Sequence, residues 1–248
     1  MVLMLGLVMV PPQALAWDAE SVEMFNDANQ LYRDQKFEEA RYLYETLAQK
    51  YPETSTFYFN LGNTQFRLGK LGETILNYER ALMLNPRDQD TRANLNYVES
   101  LLEYRIEDER NWYLKTGEDI LKRVKEKEVL IVVLSLLSLF LLTMAFSVYF
   151  RPGAKWGALR KTLLFLVVVA LGVYALRSVQ QNVIRDAVVM VKEAEVRYGP
   201  SPNDQIAFRL GEGLKVYVTD KRKSWSRILL TNGETGWVKN AQINEVNL

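Results

Sequence analysis

The sequence predicts a multidomain α + β membrane protein: a helical repeat solenoid, a two-helix transmembrane hairpin and a small β-barrel. Three observations carry that expectation. Matching residues recur 34 positions apart (Tyr44 and Tyr78, for example) over residues 21–103. Residues 129–150 hold no charged side chain. Beyond Arg185 the pattern alternates over short runs separated by Gly, Pro and Asn turns.

Composition removes whole classes of chemistry. The chain has 248 residues, with Lys plus Arg at 31, Asp plus Glu at 30 and a net charge of +1. A nucleic-acid binder concentrates positive charge to displace counterions from phosphate; no such excess exists here, and no nucleic-acid partner is expected. His and Cys do not occur. That excludes disulfides, thiolate nucleophiles, Ser–His–Asp arrangements and Cys/His metal sites. The acids are scattered over predicted helix surfaces rather than paired for proton transfer. The chain therefore reads as a non-enzyme, with no catalytic residue, metal ligand, cofactor or small-molecule substrate.

Residues 1–16 read as a signal peptide. An apolar run from Val2 to Val10 meets the breakers Pro11 and Pro12. Ala14-Leu15-Ala16 then supplies the small-x-small pattern of a signal-peptidase site, with a mature start at Trp17. No Lys or Arg precedes the apolar run, so a short buried helix is the other reading.

Over 21–103 Ala28 recurs as Gly62, Ala40 as Thr74, Tyr44 as Tyr78, Leu47 as Ala81 and Pro52 as Pro86. Phe25 likewise matches Phe59, and Tyr32 matches Phe66. Small residues sit where paired helices cross, large aromatics fill the space between pairs, and Pro ends each second helix. The pattern resembles the tetratricopeptide repeat, with full copies at 24–52 and 58–86. Residues 90–103, with Ala93, Leu95 and Tyr97 in phase, read as a capping helix. Two repeats and a cap are near the lower limit for a stable stack, so a partner or a further helix is expected over one end.

Residues 104–128 are charged, with Ile106, Trp112, Leu114, Ile120, Leu121 and Val124 interspersed, and read as a partly amphipathic helical connector to the membrane. At about 1.5 Å per residue, 129–150 extends about 33 Å, enough for a hydrocarbon core of about 30 Å. A short basic loop, 151–161, holds Arg151, Pro152 and Gly153 as breakers. A second span is expected at 162–179, with Arg160, Lys161 and Arg177 snorkelling to the interface. One span plus an interfacial helix is the alternative. Within the first span the polar side chains are Ser135, Ser138, Thr143 and Ser147, which bond back to their own helix and imply no pore.

Residues 186–248 carry five expected strands, at 187–192, 195–198, 215–219, 225–230 and 236–238. Their turns are Gly199-Pro200-Ser201-Pro202, Gly211-Glu212-Gly213 and Asn232-Gly233. Five short strands suit a small closed barrel. Val196-Arg197-x-Gly199-Pro200-Ser201, Leu210-x-Glu212-Gly213, Trp225 and Gly236-Trp237-Val238 resemble bacterial SH3 (SH3b) domains in that order.

Signal, short tetratricopeptide array, helical hairpin and terminal SH3b domain together resemble the BatE family of the Bacteroides aerotolerance operons. That resemblance implies an inner-membrane component beside von Willebrand A domain proteins and a MoxR-type ATPase, with a role in envelope function or oxygen tolerance. A cleaved signal and two spans put the repeats and the barrel in the periplasm and the 151–161 loop inside. The loop holds Arg151, Lys155, Arg160 and Lys161 and no acid, as the positive-inside rule asks. Lys115, Lys122, Arg123, Lys125 and Lys127 before the first span pull the other way, so charge leaves orientation open.

Two candidate binding surfaces follow. The first helix of each repeat carries Asn26, Asn60 and Asn94, Asn29 and Asn63, and Arg33 and Arg67 in matching phase. Spacings of three, four and seven put them on one helix face. Asn can hold a peptide backbone and Arg its terminal carboxylate; alternatively these asparagines are common to the repeat whatever it binds. In the barrel, Tyr198, Pro200, Tyr217, Trp225 and Trp237 form a candidate aromatic groove, or else fill the barrel interior. The reading is a non-enzymatic scaffold that binds protein partners at the bilayer, with a cell-wall or peptide-ligand sensor as the alternative.

Overall fold

The computed structural model describes residues 17–104, 106, 111–150, 154–183 and 185–248. The expected signal, 1–16, and residues 151–153 of the expected basic loop lie outside them. The backbone divides into two compact units: one joins the described parts of 1–109 to 186–248, and the other covers those of 110–185. The first is called the head here.

The head begins with five helices: α1 (Ala19–Arg33), α2 (Phe37–Lys50), α3 (Ser55–Arg67), α4 (Leu71–Leu84) and α5 (Gln89–Ser100). Asp18 caps α1, its carboxylate accepting from the Ser21 N–H at 2.8 Å, and it also pairs with Lys50 at 2.7 Å. These two interactions hold the Asp18 carboxyl well below the usual range. Asp88 caps α5 in the same manner. The turns between paired helices need a left-handed residue, and both repeats place one at the same phase: Gln35 at φ 61° and Gly69 at φ 75°. Gly adopts that region freely, whereas Gln does so at a cost. Ala28 and Ala40 are fully buried at the first crossing. At the second, a Cβ on Gly62 would come within 2.5 Å of the Tyr78 ring, so the glycine makes room for the tyrosine. Trp17 closes the N-terminal end, its ring 4.6 Å from Phe57 and 5.4 Å from Phe25.

The other end of the chain forms β1 (Arg185–Val189), β2 (Glu193–Arg197), β3 (Ile206–Gly211), β4 (Lys215–Lys221), β5 (Trp225–Leu229), β6 (Thr235–Lys239) and β7 (Ile243–Glu245). The sheet order is β3-β2-β6-β5-β4-β1-β7, and it curls around Val189, Val196, Val216, Ile228 and Val238. Among the described residues seven strands thus replace the expected five. Residues 206–211 and 243–245 are the additions, and β3 and β7 end the order instead of closing it. Leu102 and Ile106, just after α5, pack on this same core.

Helices and sheet share a second core. Ile75, Leu76, Tyr78 and Leu82 of α4 and Leu95 and Val98 of α5 cluster with Val188 and Val246. Gly72 lets α4 approach, since a Cβ there would lie 2.9 Å from the Val189 carbonyl. The Gly72 N–H donates to Glu212 Oε1 at 2.8 Å. The residue at the N-cap of α4, Lys70, makes no side-chain capping bond, so the barrel supplies the acidic group that a helix N-terminus favours. Lys215 reaches Glu79 at 2.8 Å and Glu99 at 2.7 Å. Partial loss of hydration lowers its pKa, but the two carboxylates win and hold the ammonium above its ordinary value. The sheet thus packs on α4 and α5, where a partner or a further helix was expected.

The second unit contains α6 (Trp112–Lys122), α7 (Glu126–Phe150) and α8 (Ala154–Val183). α7 and α8 meet through Val129, Val133 and Ala170, and near their turn Phe146 stacks on Trp156 with centroids 4.8 Å apart. Most other apolar side chains of both helices are exposed. Among the described residues, two helices are long and apolar enough to cross a membrane, over Lys127–Phe150 and Trp156–Leu176. α8 begins at Ala154, so 154–161, expected as loop, is helical: after Gly153 no proline interrupts it, and Trp156 packs back on α7. Thr143 and Ser147 donate to carbonyls of their own helix, Phe140 and Thr143, each at 2.7 Å.

Three outcomes are expected for the full chain in detergent. Gln35→Gly removes the left-handed strain and raises the midpoint of thermal unfolding, by an amount equivalent to about 0.5–1 kcal/mol after glycine's entropy cost. Gly72→Glu, which places the first repeat's residue in the second, costs about 1–3 kcal/mol by overpacking and makes the barrel and helices protease-sensitive together. Because the Asp18 pKa is depressed, its stabilisation is complete above about pH 4 and is lost as the pH falls further. Asp18→Asn flattens that limb of a melting-temperature profile.

Candidate functional site

Three of the seven predicted groove residues bond within the helical stack and a fourth, Asn60, is buried. The Tyr44 hydroxyl donates to Asn29 Oδ1 at 2.7 Å, and the Tyr78 hydroxyl donates to Asn63 Oδ1 at 2.7 Å. The same strut therefore recurs in both repeats, tying the first helix of each pair to the second. Burial raises the pKa of both phenols, which keeps them protonated as donors. Asn94 joins by donating to Asn63 Oδ1 at 3.3 Å. Arg33 is exposed and donates to Gln30 Oε1 at 2.6 Å. The Arg67 guanidinium lies 4.7 Å from the Phe37 ring centroid. Asn26 is exposed, whereas Asn60 is 5% exposed and its Nδ2 finds no hydrogen-bond partner among the described residues. A buried amide donor left open is costly, and because that atom is closed to solvent it is a cost within the helical stack rather than a contact offered to a ligand.

The barrel aromatics do not form one open groove. The registers Trp225↔Lys239 and Arg227↔Trp237 put these four side chains on the sheet face opposite the core residues Ile228 and Val238. Both tryptophans are only 8% exposed. Arg222 sits 4.7 Å from the Trp237 ring centroid and Lys239 6.0 Å from that of Trp225. Tyr217 pairs with Leu229 and is half-buried, as is Pro200. Tyr198 alone of the five is open, at 70%.

A cavity of about 380 Å³ that the sequence did not signal lies where α2, α3 and α4 meet the barrel's C-terminal end. Glu45 and Gln49 reach it from α2, Gln65 from α3, Glu73 and Arg80 from α4, and Asn244 from β7. Arg80 donates through Nη2 to the Glu245 carbonyl at 3.1 Å and through Nε to the Val246 carbonyl at 3.3 Å. Withdrawal from water lowers its pKa, with Tyr58 opposing. The recurrence that exposed the repeats could not reveal this site, because its first-repeat counterpart is Thr46.

Asn63→Ala leaves the buried Tyr78 hydroxyl without its acceptor and is expected to cost about 1–3 kcal/mol. Asn26→Ala leaves the thermal midpoint within error. Equal effects in the two variants would refute the strut.

No curated protein compared with the chain matches it. One family does, over the barrel: residues 190–245 match the bacterial SH3 domain family.

Proposed function

We propose that this chain is a non-enzymatic, membrane-anchored interaction scaffold of the bacterial envelope. The observation that carries the reading is the place of the apolar hairpin within the fold. The chain leaves the head after Ile106, which packs on the barrel core, and rejoins it at β1. Repeats and barrel share one core and so belong on one side of a bilayer. An insertion that leaves and rejoins the same body crosses an even number of times, which favours two spans over one. Each of the two helices has the length and apolarity for that task.

The head offers a helical stack whose 34-residue pattern is that of tetratricopeptide repeats, and solenoid faces of this kind bind extended partners. Of the predicted groove residues, Asn26 and Arg33 are exposed and open to such a partner. The order of parts supports a Bat-type aerotolerance complex, with von Willebrand A domain proteins as partners and the head in the periplasm. A second reading, a cell-wall peptide sensor, rests on the bacterial SH3 match and on the exposed Tyr198.

Protease added to intact spheroplasts, with tags before α1 and after β7, tests the arrangement. Both tags are expected to be digested while a fragment spanning α7 and α8 survives. Digestion of one tag only would refute the shared head. Survival of both until detergent is added would place the scaffold in the cytoplasm and remove the wall-sensor reading.

A further inference from the structure

The cavity beside Arg80 has a size and charge pattern that select a ligand. Its volume of about 380 Å³ falls within the roughly 300–1,000 Å³ of small-ligand pockets. Arg80 is half-buried and, among the described residues, makes no ion pair with a carboxylate. A guanidinium carries five N–H donors, and the Glu245 and Val246 carbonyls take two. The remaining donors suit a carboxylate, which guanidinium groups bind in paired fashion.

A bare anion is a poor occupant, because Glu45 and Glu73 line the same cavity. Glu45 is already engaged by Arg41 at 2.7 Å, whereas among the described residues Glu73 has only Lys70 at 3.9 Å. Glu73 therefore remains available to a cation. A bare cation is equally poor, because it would meet Arg80. The lining asks for both charges in one molecule. Glu73 and Arg80 are seven residues apart on α4, which is about 10 Å along the axis, and an extended tripeptide has about that length. Gln49 and Asn244 add amide donors and acceptors to the lining, and Leu76 and Met190 add apolar wall.

We infer that this cavity binds a short zwitterionic peptide, with its terminal carboxylate on Arg80 and its free ammonium on Glu73. The site lies wholly within the head, so it stands whichever way the hairpin is oriented and whether or not the chain is a scaffold. It is separate from the predicted repeat groove and from the barrel aromatics.

Calorimetric titration of trialanine into the full chain in detergent micelles tests the site. Trialanine is expected to bind with a Kd below about 1 mM. N-acetylation and C-amidation should each weaken it about tenfold or more through loss of one charge-assisted contact. Arg80→Met is expected to abolish binding. Because Arg80 also secures β7, Glu73→Gln is the second variant: it should weaken trialanine about tenfold and leave the affinity of N-acetyl-trialanine unchanged. Absence of heat up to about 10 mM trialanine, or equal affinity for free and blocked peptides, would overturn the proposal. So would Glu73→Gln weakening both peptides alike.

Discussion

The apolar seam between α4 and the barrel constrains the rest of the head. An outer helix in a repeat stack ordinarily buries one stripe and shows the other to water. α4 buries two, one against α3 and another against β1 and the residue after β7. Fully burying an aliphatic side chain contributes about 1.5–3 kcal/mol. Ile75, Val98 and Val188 are all within 1% of complete burial, so the seam rivals the roughly 5–15 kcal/mol by which a domain is stable at all. The ion pairs of Lys215 have a different weight. Its side chain is 48% exposed, and exposed pairs give about 0–1 kcal/mol. Apolar burial holds the two parts together, while Lys215, Glu212 and Arg80 fix the register in which they meet.

The sequence carried more of this seam than its periodicity alone revealed. Aligned on the repeat, Glu38, Arg41 and Tyr42 of α2 become Gly72, Ile75 and Leu76 of α4. Tyr42 is 66% exposed, whereas Leu76 is 3% exposed. Two apolar gains and a glycine on one helix face mark the place where something docks, although not what docks there. The missed strands have other causes. β7 has only three residues, too few to show alternation, and is held by β1 and by the Arg80 guanidinium. β3 mixes faces around Arg209, and its identity lies in its pairing with β2.

The site residues show the same limit. Spacing puts Asn29 and Asn63 on the correct helix face, but a face does not reveal which neighbour a side chain reaches. Here it is a tyrosine fifteen positions later on the next helix (Asn29 to Tyr44, Asn63 to Tyr78), a pairing visible in the sequence only as two recurrences of equal offset. In the barrel, alternation puts Trp225 and Trp237 together on the outer face. That Arg222 and Lys239 then cover them is a matter of tertiary arrangement. Cations resting on rings contribute about 0.5–1 kcal/mol at exposed sites, little enough for a ligand to displace.

A head made from the two ends of one chain also imposes an order on its biosynthesis. Ribosomes release α4 first, then both apolar helices of the second unit, and β1 about a hundred residues later. At roughly 5–20 residues per second, the second apolar stripe of α4 waits about 5–20 s for its cover. During that interval the nascent repeats present Ile75, Leu76 and Leu82 to water, a surface suited to a chaperone or a second copy of the same stack. That stripe is fully withdrawn only once β1 and the residue after β7 are in place.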